Sequence, residues 1–188
     1  MRYLADIDKE KIKEKAKMFN TRLEFAKYMR RCTTPQSDED IDPGVIIGEA
    51  GFAYEKDENG KWLHIPHIEG VSIGNDVHIG SHTVIHCGTL DDTIIGDGTK
   101  IDTFAHIAHN CKIGKNCIVG THAVLLGSVT LEDDVWIAPG AVIRQKLTIG
   151  KGAVVGMGAV VVKDVPPGVT VYGNPARSKE EWQKQKGQ

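Results

Sequence analysis

Eight histidines occur among the 188 residues, a high count for this length, and they are the first candidates for acid–base catalysis. His109 lies in the segment His-Ile-Ala-His-Asn, and Gly127 follows it later in the chain. If the chain completes one coil between these two positions, Gly127 leaves room over the imidazole and presents its backbone N–H. An imidazole can take the proton of an attacking amine or hydroxyl, and a free amide can stabilise the oxyanion of a tetrahedral intermediate. The pair predicts acyl transfer, although a solvated histidine beside a turn glycine explains the spacing equally well.

A hexapeptide repeat is the reason for taking the interval from His109 to Gly127 as one coil. Aliphatic residues recur at every sixth position from Ile95 to Val161, and the fifth position of most repeats is small or β-branched. Such a period matches neither an α-helix nor an alternating strand. It predicts a short strand and a tight turn, with glycine easing the corner, and three such units closing one triangular coil. The sequence therefore predicts an all-β fold, a parallel β-helix of hexapeptide repeats.

The same repeat predicts the domain boundaries. Residues 1–34 are charged and helix-prone, which predicts an N-terminal helical appendage, and residues 35–177 form the β-helix domain. A C-terminal helix is expected over residues 178–188, and Ser178 with Glu181 would form the capping box at its start.

Three segments interrupt the regular pattern. Residues 33–44 have the composition of a linker, and residues 51–66 predict a projecting loop that turns at Asn59-Gly60. The repeat also slips out of phase across the segment 88–93. Loops on rigid scaffolds often carry function, so His64 and His67, in or near the projecting loop, could reach a ligand.

The residues that precede the inward aliphatic residues point outward and predict three faces. The members of each face are Lys112, Thr130 and Thr148; Ile118, Trp136 and Val154; and His106, Val124, Val142 and Val160. Two of these faces are apolar, and a monomer rarely exposes such long apolar surfaces. We therefore expect a closed cyclic homotrimer, with coverage by the terminal helices as the alternative. His106 begins one apolar face, so it is either an interface residue or a substrate contact, whereas His122 is expected to be a solvated corner residue.

Charge and composition exclude several classes of protein. The formal net charge of −2 argues against a nucleic-acid partner or a polybasic membrane surface. No apolar run approaches the roughly 18 residues of a spanning helix, and the charged N-terminus lacks the apolar core of a signal peptide. The four cysteines show no metal or disulfide spacing, and Cys111 and Cys117 take inward core positions. We expect a cytoplasmic protein without a metal.

Basic residues follow the site along the later coils. Arg144 and Lys146 flank the residue one coil above Gly127, and Lys163 and Arg177 follow further on. Together they could bind the phosphates of an extended donor such as coenzyme A. A solvated corner charge is the simpler explanation for each residue taken separately.

The hexapeptide pattern resembles the left-handed β-helix acyltransferases across residues 41–177. Four segments closely resemble the UDP-3-O-acyl-glucosamine N-acyltransferases of lipid A synthesis: Gly51-Phe52-Ala53-Tyr54, Ile65-Pro66, Gly88-Thr89-Leu90-Asp91-Asp92-Thr93 and Ile107-Ala108-His109-Asn110. This resemblance implies a left-handed coil and His109 as the general base. In related acyltransferases the glycine that matches Gly127 supplies the oxyanion amide. Phe52, Tyr54 and Asn110, which lie in these segments, are candidate substrate contacts. His106 is a further candidate because of its position on the apolar face.

Three differences from that family change the expected substrate. The family's N-terminal uridine-binding domain has no counterpart here, and Lys146 stands where the family carries a second histidine. The ending, from Val165-Pro166-Pro167-Gly168 to Arg177, resembles sugar acetyltransferases that use acetyl-CoA. The resemblance thus implies transfer of a short acyl group, acetyl from acetyl-CoA, to the amino group of a nucleotide-linked sugar in surface-polysaccharide synthesis.

Three alternatives stay open at this point. A long-chain N-acyltransferase of the lipid A type would use acyl carrier protein instead of coenzyme A. A γ-type carbonic anhydrase shares the architecture but binds zinc through three histidines, and Thr121 and Leu126 stand where two of them are needed. A non-catalytic β-helix could simply bind a sugar nucleotide.

Overall fold

A computed structural model describes residues 39–186, and these residues form a triangular parallel β-helix with one projecting hairpin and one terminal helix. The expected N-terminal helical appendage, residues 1–34, lies outside the described residues. Strands of the three faces pair with the strands one coil before and after, as in the register of His106 with Val124 and of Val124 with Val142. This register shows that three hexapeptides form one coil.

Three sheets form the faces of the coil. Sheet A consists of β1 (Glu39–Ile41), β6 (Val77–Ile79), β9 (Lys100–Ile101), β12 (Ile118–Val119), β15 (Trp136–Ile137), β18 (Val154–Val155), β20 (Thr170–Tyr172) and β21 (Arg177–Ser178), the last of which is antiparallel. Sheet B consists of β2 (Ile46–Glu49), β7 (Val84–His86), β10 (His106–Ile107), β13 (Val124–Leu125), β16 (Val142–Ile143) and β19 (Val160–Val161). Sheet C consists of β5 (Val71–Ile73), β8 (Thr93–Ile95), β11 (Lys112–Ile113), β14 (Thr130–Leu131) and β17 (Thr148–Ile149).

The remaining elements lie outside the three faces. Strands β3 (Tyr54–Lys56) and β4 (Trp62–His64) form an antiparallel hairpin within the predicted loop. Helix α1 (Lys179–Lys186) follows the last coil, and Ser178 and Glu181 exchange the two hydrogen bonds of a capping box at its start. The interpretation of residues 33–44 as a linker is wrong for residues 39–41, because β1 pairs with β6 as part of the first coil.

The inward aliphatic residues form one continuous core along the axis of the coil. Ile107, Leu125 and Ile143 follow one another on sheet B and are fully buried, as are Cys111 and Cys117 at their inward small-residue positions. Burial raises the pKa of the Cys111 thiol to about 12. These two cysteines are therefore core residues.

The corners turn through left-handed backbone, but not at the glycines that follow the aliphatic residues. The left-handed φ angles fall later in the turn, at positions such as Asn110 (59°), Asn116 (53°) and Lys146 (61°). Glycine is needed after the aliphatic residue for another reason. A Cβ at Gly96 would lie 2.6 Å from the carbonyl carbon of Gly114 in the next coil. The prediction that these glycines ease the turn is wrong, because close approach between coils selects them.

The phase slip forms a bulge at one corner. Val71 of β5 pairs with Thr93 of β8, 22 residues later, whereas partners in the regular coils, such as Val124 and Val142, are 18 residues apart. The segment 88–93 therefore adds four residues to this coil. Gly88 has no room for a Cβ, because the carbonyl of Asp91 folds back over it. The bulge therefore has a fixed shape, and it lies beside the residues described next.

Candidate active site

His109 lies at the corner between sheets B and C, just after β10, and its side chain is half-buried. Gly127 occupies the same corner one coil later, where Ser128 N donates to the carbonyl oxygen of His109 over 2.9 Å. A Cβ built on Gly127 would lie 2.6 Å from Nε2 of His109. Within residues 39–186 no hydrogen bond uses the N–H of Gly127. The structure therefore packs a ring nitrogen of His109 against Gly127, a residue whose backbone N–H has no partner within the described residues.

Asn110 determines which nitrogen of His109 carries the proton. Its Oδ1 lies 2.9 Å from Nδ1 of His109, and the backbone N–H of Thr89 also donates to Oδ1 over 3.2 Å. Its Nδ2 donates to the carbonyl oxygen of Asp91 over 2.8 Å. A backbone donor on one side and a backbone acceptor on the other fix the orientation of the amide. Since Oδ1 can only accept, neutral His109 is protonated at Nδ1 and keeps the lone pair on Nε2, which is the atom beside Gly127.

The bulge holds Asn110 in this orientation. The hydroxyl of Thr89 donates to Oδ1 of Asn110 over 2.9 Å, and the backbone N–H of Asn110 donates to Oγ1 of Thr93 over 2.9 Å. All these contacts lie inside the chain, so the observed geometry suits Asn110 to positioning His109. The expectation that Asn110 contacts substrate stays a prediction.

We predict that Asn110→Asp moves the acidic limb of the pH–rate profile to higher pH by about one unit or more, because a carboxylate beside Nδ1 stabilises the imidazolium. The backbone change is small, since asparagine and aspartate both tolerate a left-handed φ. The measurement is kcat/KM against pH. Asn116→Asp is the matched control, because Asn116 is a left-handed corner residue outside this site. Identical acidic limbs in both variants would contradict the positioning role of Asn110.

The segment 51–68, which contains the β3–β4 hairpin and is called the hairpin segment below, brings a second imidazole to His109. The rings of His67 and His109 lie 5.0 Å apart at 73°, and the Nδ1 of His67 lies 3.0 Å from the carbonyl oxygen of Ile65. Burial lowers the pKa of His67, and the neighbouring His109 lowers that pKa further. A Cβ at Gly51 would lie 2.7 Å from Nε2 of His67 and 3.2 Å from Cδ2 of His109. Only glycine at position 51 leaves both rings in place.

An apolar cavity opens beside His109. Its volume is about 480 Å³, and besides His109 its lining consists of Ala53, Ile65, Pro66, Ile68, Thr89 and Leu90. The hairpin segment supplies one wall and the bulge supplies the other. The two irregular segments of the sequence therefore meet at the imidazole.

The other predicted histidines lie on neighbouring parts of the coil. His106 is half-buried on sheet B, 5.0 Å from the ring of His86. Burial lowers the pKa of His106, and His86 lowers it further. His122 is exposed, as expected for a corner residue, and its ring stacks on Phe104 at 5.2 Å.

The four basic residues do not share one environment. Arg144 and Lys146 are exposed, whereas Lys163 pairs with Glu181 of α1 over 2.9 Å. The guanidinium of Arg177 lies 5.5 Å over the ring of Trp182. The charges of Lys163 and Arg177 therefore already have partners in the C-terminal helix, and the binding of coenzyme A phosphates by this set stays a prediction.

Comparison with known proteins identifies the repeat. The family described as bacterial transferase hexapeptide (six repeats) matches residues 92–127 and 128–163. Residues 92–163 of this chain are therefore similar to that family of hexapeptide-repeat transferases. This confirms the resemblance that the sequence indicates.

The hexapeptide-repeat relatives include UDP-3-O-acylglucosamine N-acyltransferases. That of Methylobacterium nodulans is 40% identical over 142 residues, which are 76% of this chain. This chain covers 40% of that relative, less than half of its length.

Solved structures of the same architecture give the handedness of the coil. LpxA from Acinetobacter baumannii is 25% identical with a TM-score of 0.63, and the match covers 80% of this chain and 60% of that one. PerB from Caulobacter crescentus, solved with CoA and GDP-perosamine, is 24% identical with a TM-score of 0.55, over 84% of this chain and 65% of that one. The likeness to LpxA confirms the predicted left-handed parallel β-helix.

Two further observations concern metals and membranes. Within the described residues, no three histidine, cysteine or carboxylate side chains are grouped as ligands of a metal ion. No helix of residues 39–186 has the length and apolar character needed to span a bilayer.

Proposed function

We propose that this chain is an acyltransferase that moves a short acyl group, acetyl in the simplest case, from acyl-CoA to the amino group of a nucleotide-linked sugar. The observation that carries the proposal is the close approach of His109 Nε2 to position 127, whose backbone N–H makes no hydrogen bond within residues 39–186. Acyl transfer needs a base and an oxyanion donor at one point. His109 would supply the base and Gly127 the oxyanion donor.

The reaction would proceed through a tetrahedral intermediate. The amine nitrogen attacks the thioester carbonyl while Nε2 of His109 takes a proton from the amine. The Gly127 N–H donates to the carbonyl oxygen as it becomes negative. Collapse breaks the C–S bond, and the imidazolium returns its proton to the thiolate, which leaves the amide and free coenzyme A.

The identities of donor and acceptor rest on relatives and on the ending of the sequence. PerB contains CoA and GDP-perosamine in its structure, and UDP-3-O-acylglucosamine is part of the name of the relatives. Both observations favour a nucleotide-linked sugar as the acceptor, and PerB favours acyl-CoA as the donor. Surface-polysaccharide synthesis is the process in which we place this reaction. The three described cysteines are free, which is in keeping with a reducing cytoplasm.

The homotrimer is part of this proposal. Ile118 and Trp136 on sheet A remain 44% and 52% exposed, and Val124 and Val142 on sheet B are half-buried. Packing sheet A of one copy against sheet B of the next would cover both faces and close after three copies. By family analogy, the acyl donor would lie along the coils at this seam, with its thioester near His109.

A longer acyl group is the second candidate, and the apolar cavity beside His109 favours it. Apart from Thr89 and His109, its walls are apolar, and 480 Å³ exceeds the space that an acetyl group needs. Acyl carrier protein would then be the carrier of a long chain, as in the lipid A type of enzyme.

The test measures release of free thiol from acyl-CoA of increasing chain length, with UDP-, GDP- and dTDP-linked amino sugars as acceptors. We expect release only when donor and acceptor are both present, and a product heavier by one acyl group. Highest kcat/KM with acetyl-CoA supports the first candidate, and a maximum at a longer chain supports the second. No release with any pair, from CoA or from acyl carrier protein, would refute acyl transfer. Stoichiometric zinc with CO₂ hydration would favour the γ-type carbonic anhydrase alternative.

A further inference from the structure

The two faces of the β3–β4 hairpin differ in chemistry. Tyr54 pairs with His64 and Lys56 pairs with Trp62, whereas Glu55 pairs with Leu63 between them. Side chains alternate across a strand and cross-strand partners share a face. One face therefore carries three rings and one lysine, and the other carries Glu55 and Leu63. We call the first the aromatic face of the hairpin.

A cavity opens on the aromatic face. Its volume is about 440 Å³ and its lining consists of Phe52, Tyr54 and Trp62, which are 90%, 42% and 60% exposed. The rings of Phe52 and Tyr54 lie 4.9 Å apart at 57°, and Nζ of Lys56 lies 4.9 Å from the centre of the Trp62 ring. Such a surface presents π-faces and one positive charge to whatever occupies it.

The aromatic face is continuous with the candidate active site. Tyr54 contacts His64 at a ring distance of 5.0 Å, and His64 stacks on His67 at 5.8 Å. His67 in turn contacts His109 at 5.0 Å. An unbroken row of rings therefore leads from the cavity to the base, along the direction that one extended ligand would take.

The charges near the cavity favour an anionic ligand. Lys56 is on the aromatic face, while Glu55 points to the opposite face. The carboxylate of Asp57 accepts hydrogen bonds from the backbone N–H groups of Asn59 and Lys61, so it belongs to the turn. A planar ring with an attached phosphate matches this arrangement.

We propose that the aromatic face of the hairpin binds the nucleobase of the acceptor, with Lys56 directed toward the phosphate nearest the base. This inference rests on the proposed function for the identity of the acceptor. Trp62, Tyr54 and Phe52 supply the stacking surface, which accepts any base because every base has a π-face. The diphosphate and sugar then extend along the row of histidines to His109.

The test is direct binding of UDP, GDP and dTDP to the full chain, measured by calorimetry without an acyl donor. Stacking of one base on an aromatic residue corresponds to roughly 5- to 150-fold in affinity, so Trp62→Ala should weaken nucleotide binding within that range. Trp62→Phe should recover most of the loss. Leu63→Ala is the matched control, since Leu63 neighbours Trp62 on the opposite face. Inorganic pyrophosphate, which lacks a base, should bind weakly and equally to all variants.

The outcomes separate this proposal from the proposed function. Equal affinity of wild type, Trp62→Ala and Leu63→Ala for all three nucleotides would overturn the nucleobase site, even if acyl transfer proceeds. Binding that depends on Trp62, combined with no thiol release from any acyl donor, would retain the site and refute the transferase. If both hold, Trp62→Ala should raise KM for the nucleotide sugar and leave kcat near the wild-type value.

Discussion

Replacing His109 by alanine should lower kcat for acyl transfer by roughly 10²- to 10⁴-fold, the contribution of a positioned general base. The side chain is half-buried at a corner and takes no part in the inward core, so the coil should remain folded. Thiol release from acyl-CoA measures the loss, and circular dichroism measures the fold.

A corner histidine outside the site is the control for this substitution. His122→Asn replaces an exposed histidine whose φ of 56° asparagine tolerates, and it should keep wild-type turnover. Full activity of His109→Ala would show that this imidazole is not the base. Equal losses in both variants would point to a general effect of changing corner residues.

Replacing Gly127 by alanine should remove most activity without touching a titratable group. The new Cβ would lie 2.6 Å from Nε2 of His109, a separation at which the imidazole must move. The backbone of Gly127 lies outside the left-handed region, so alanine adds no strain of its own. Displacement of a base by about 1 Å can cost on the order of 100-fold in rate, and we expect a loss of at least this size in kcat.

Gly70→Ala provides a matched glycine substitution. A Cβ at Gly70 meets Oδ1 of Asp92 at 3.5 Å, an ordinary van der Waals contact, and its backbone is likewise not left-handed. This variant should turn over as the wild type does. If Gly127→Ala is also fully active, the close packing of the base against position 127 has no role in the reaction.

Counting residues was sufficient to place His109 below Gly127, because both lie in regular coils in which three hexapeptides return the chain to the same corner. The same count of residues does not predict that Thr89 and Asp91 contact Asn110. They contact Asn110 from 21 and 19 residues away, because the bulge adds residues to their coil. No periodic pattern reports such contacts.

The contact between the hairpin segment and His109 could not be predicted from the sequence, for a different reason. Asn59-Gly60 indicates a turn, but the approach of His67 to His109 depends on how the whole segment folds back over the corner. Glycine at position 51, which permits this approach, looks in the sequence like any loop glycine. A contact between two half-buried rings leaves no periodic signal in the sequence.

The bulge at residues 88–93 marks the part of the solenoid that cannot accept inserted residues, whereas the later coils can. Thr89, Asp91 and Thr93 connect the corner that carries His109 and Asn110 to one irregular coil, so an insertion there would release Asn110. The coils from residue 128 to residue 161 repeat a uniform register. Duplicating or deleting one complete coil there would lengthen or shorten the β-helix and leave the contacts between His109 and Asn110 unchanged. Homologues that keep the contacts of Asn110 should therefore differ by whole coils on the C-terminal side of this corner.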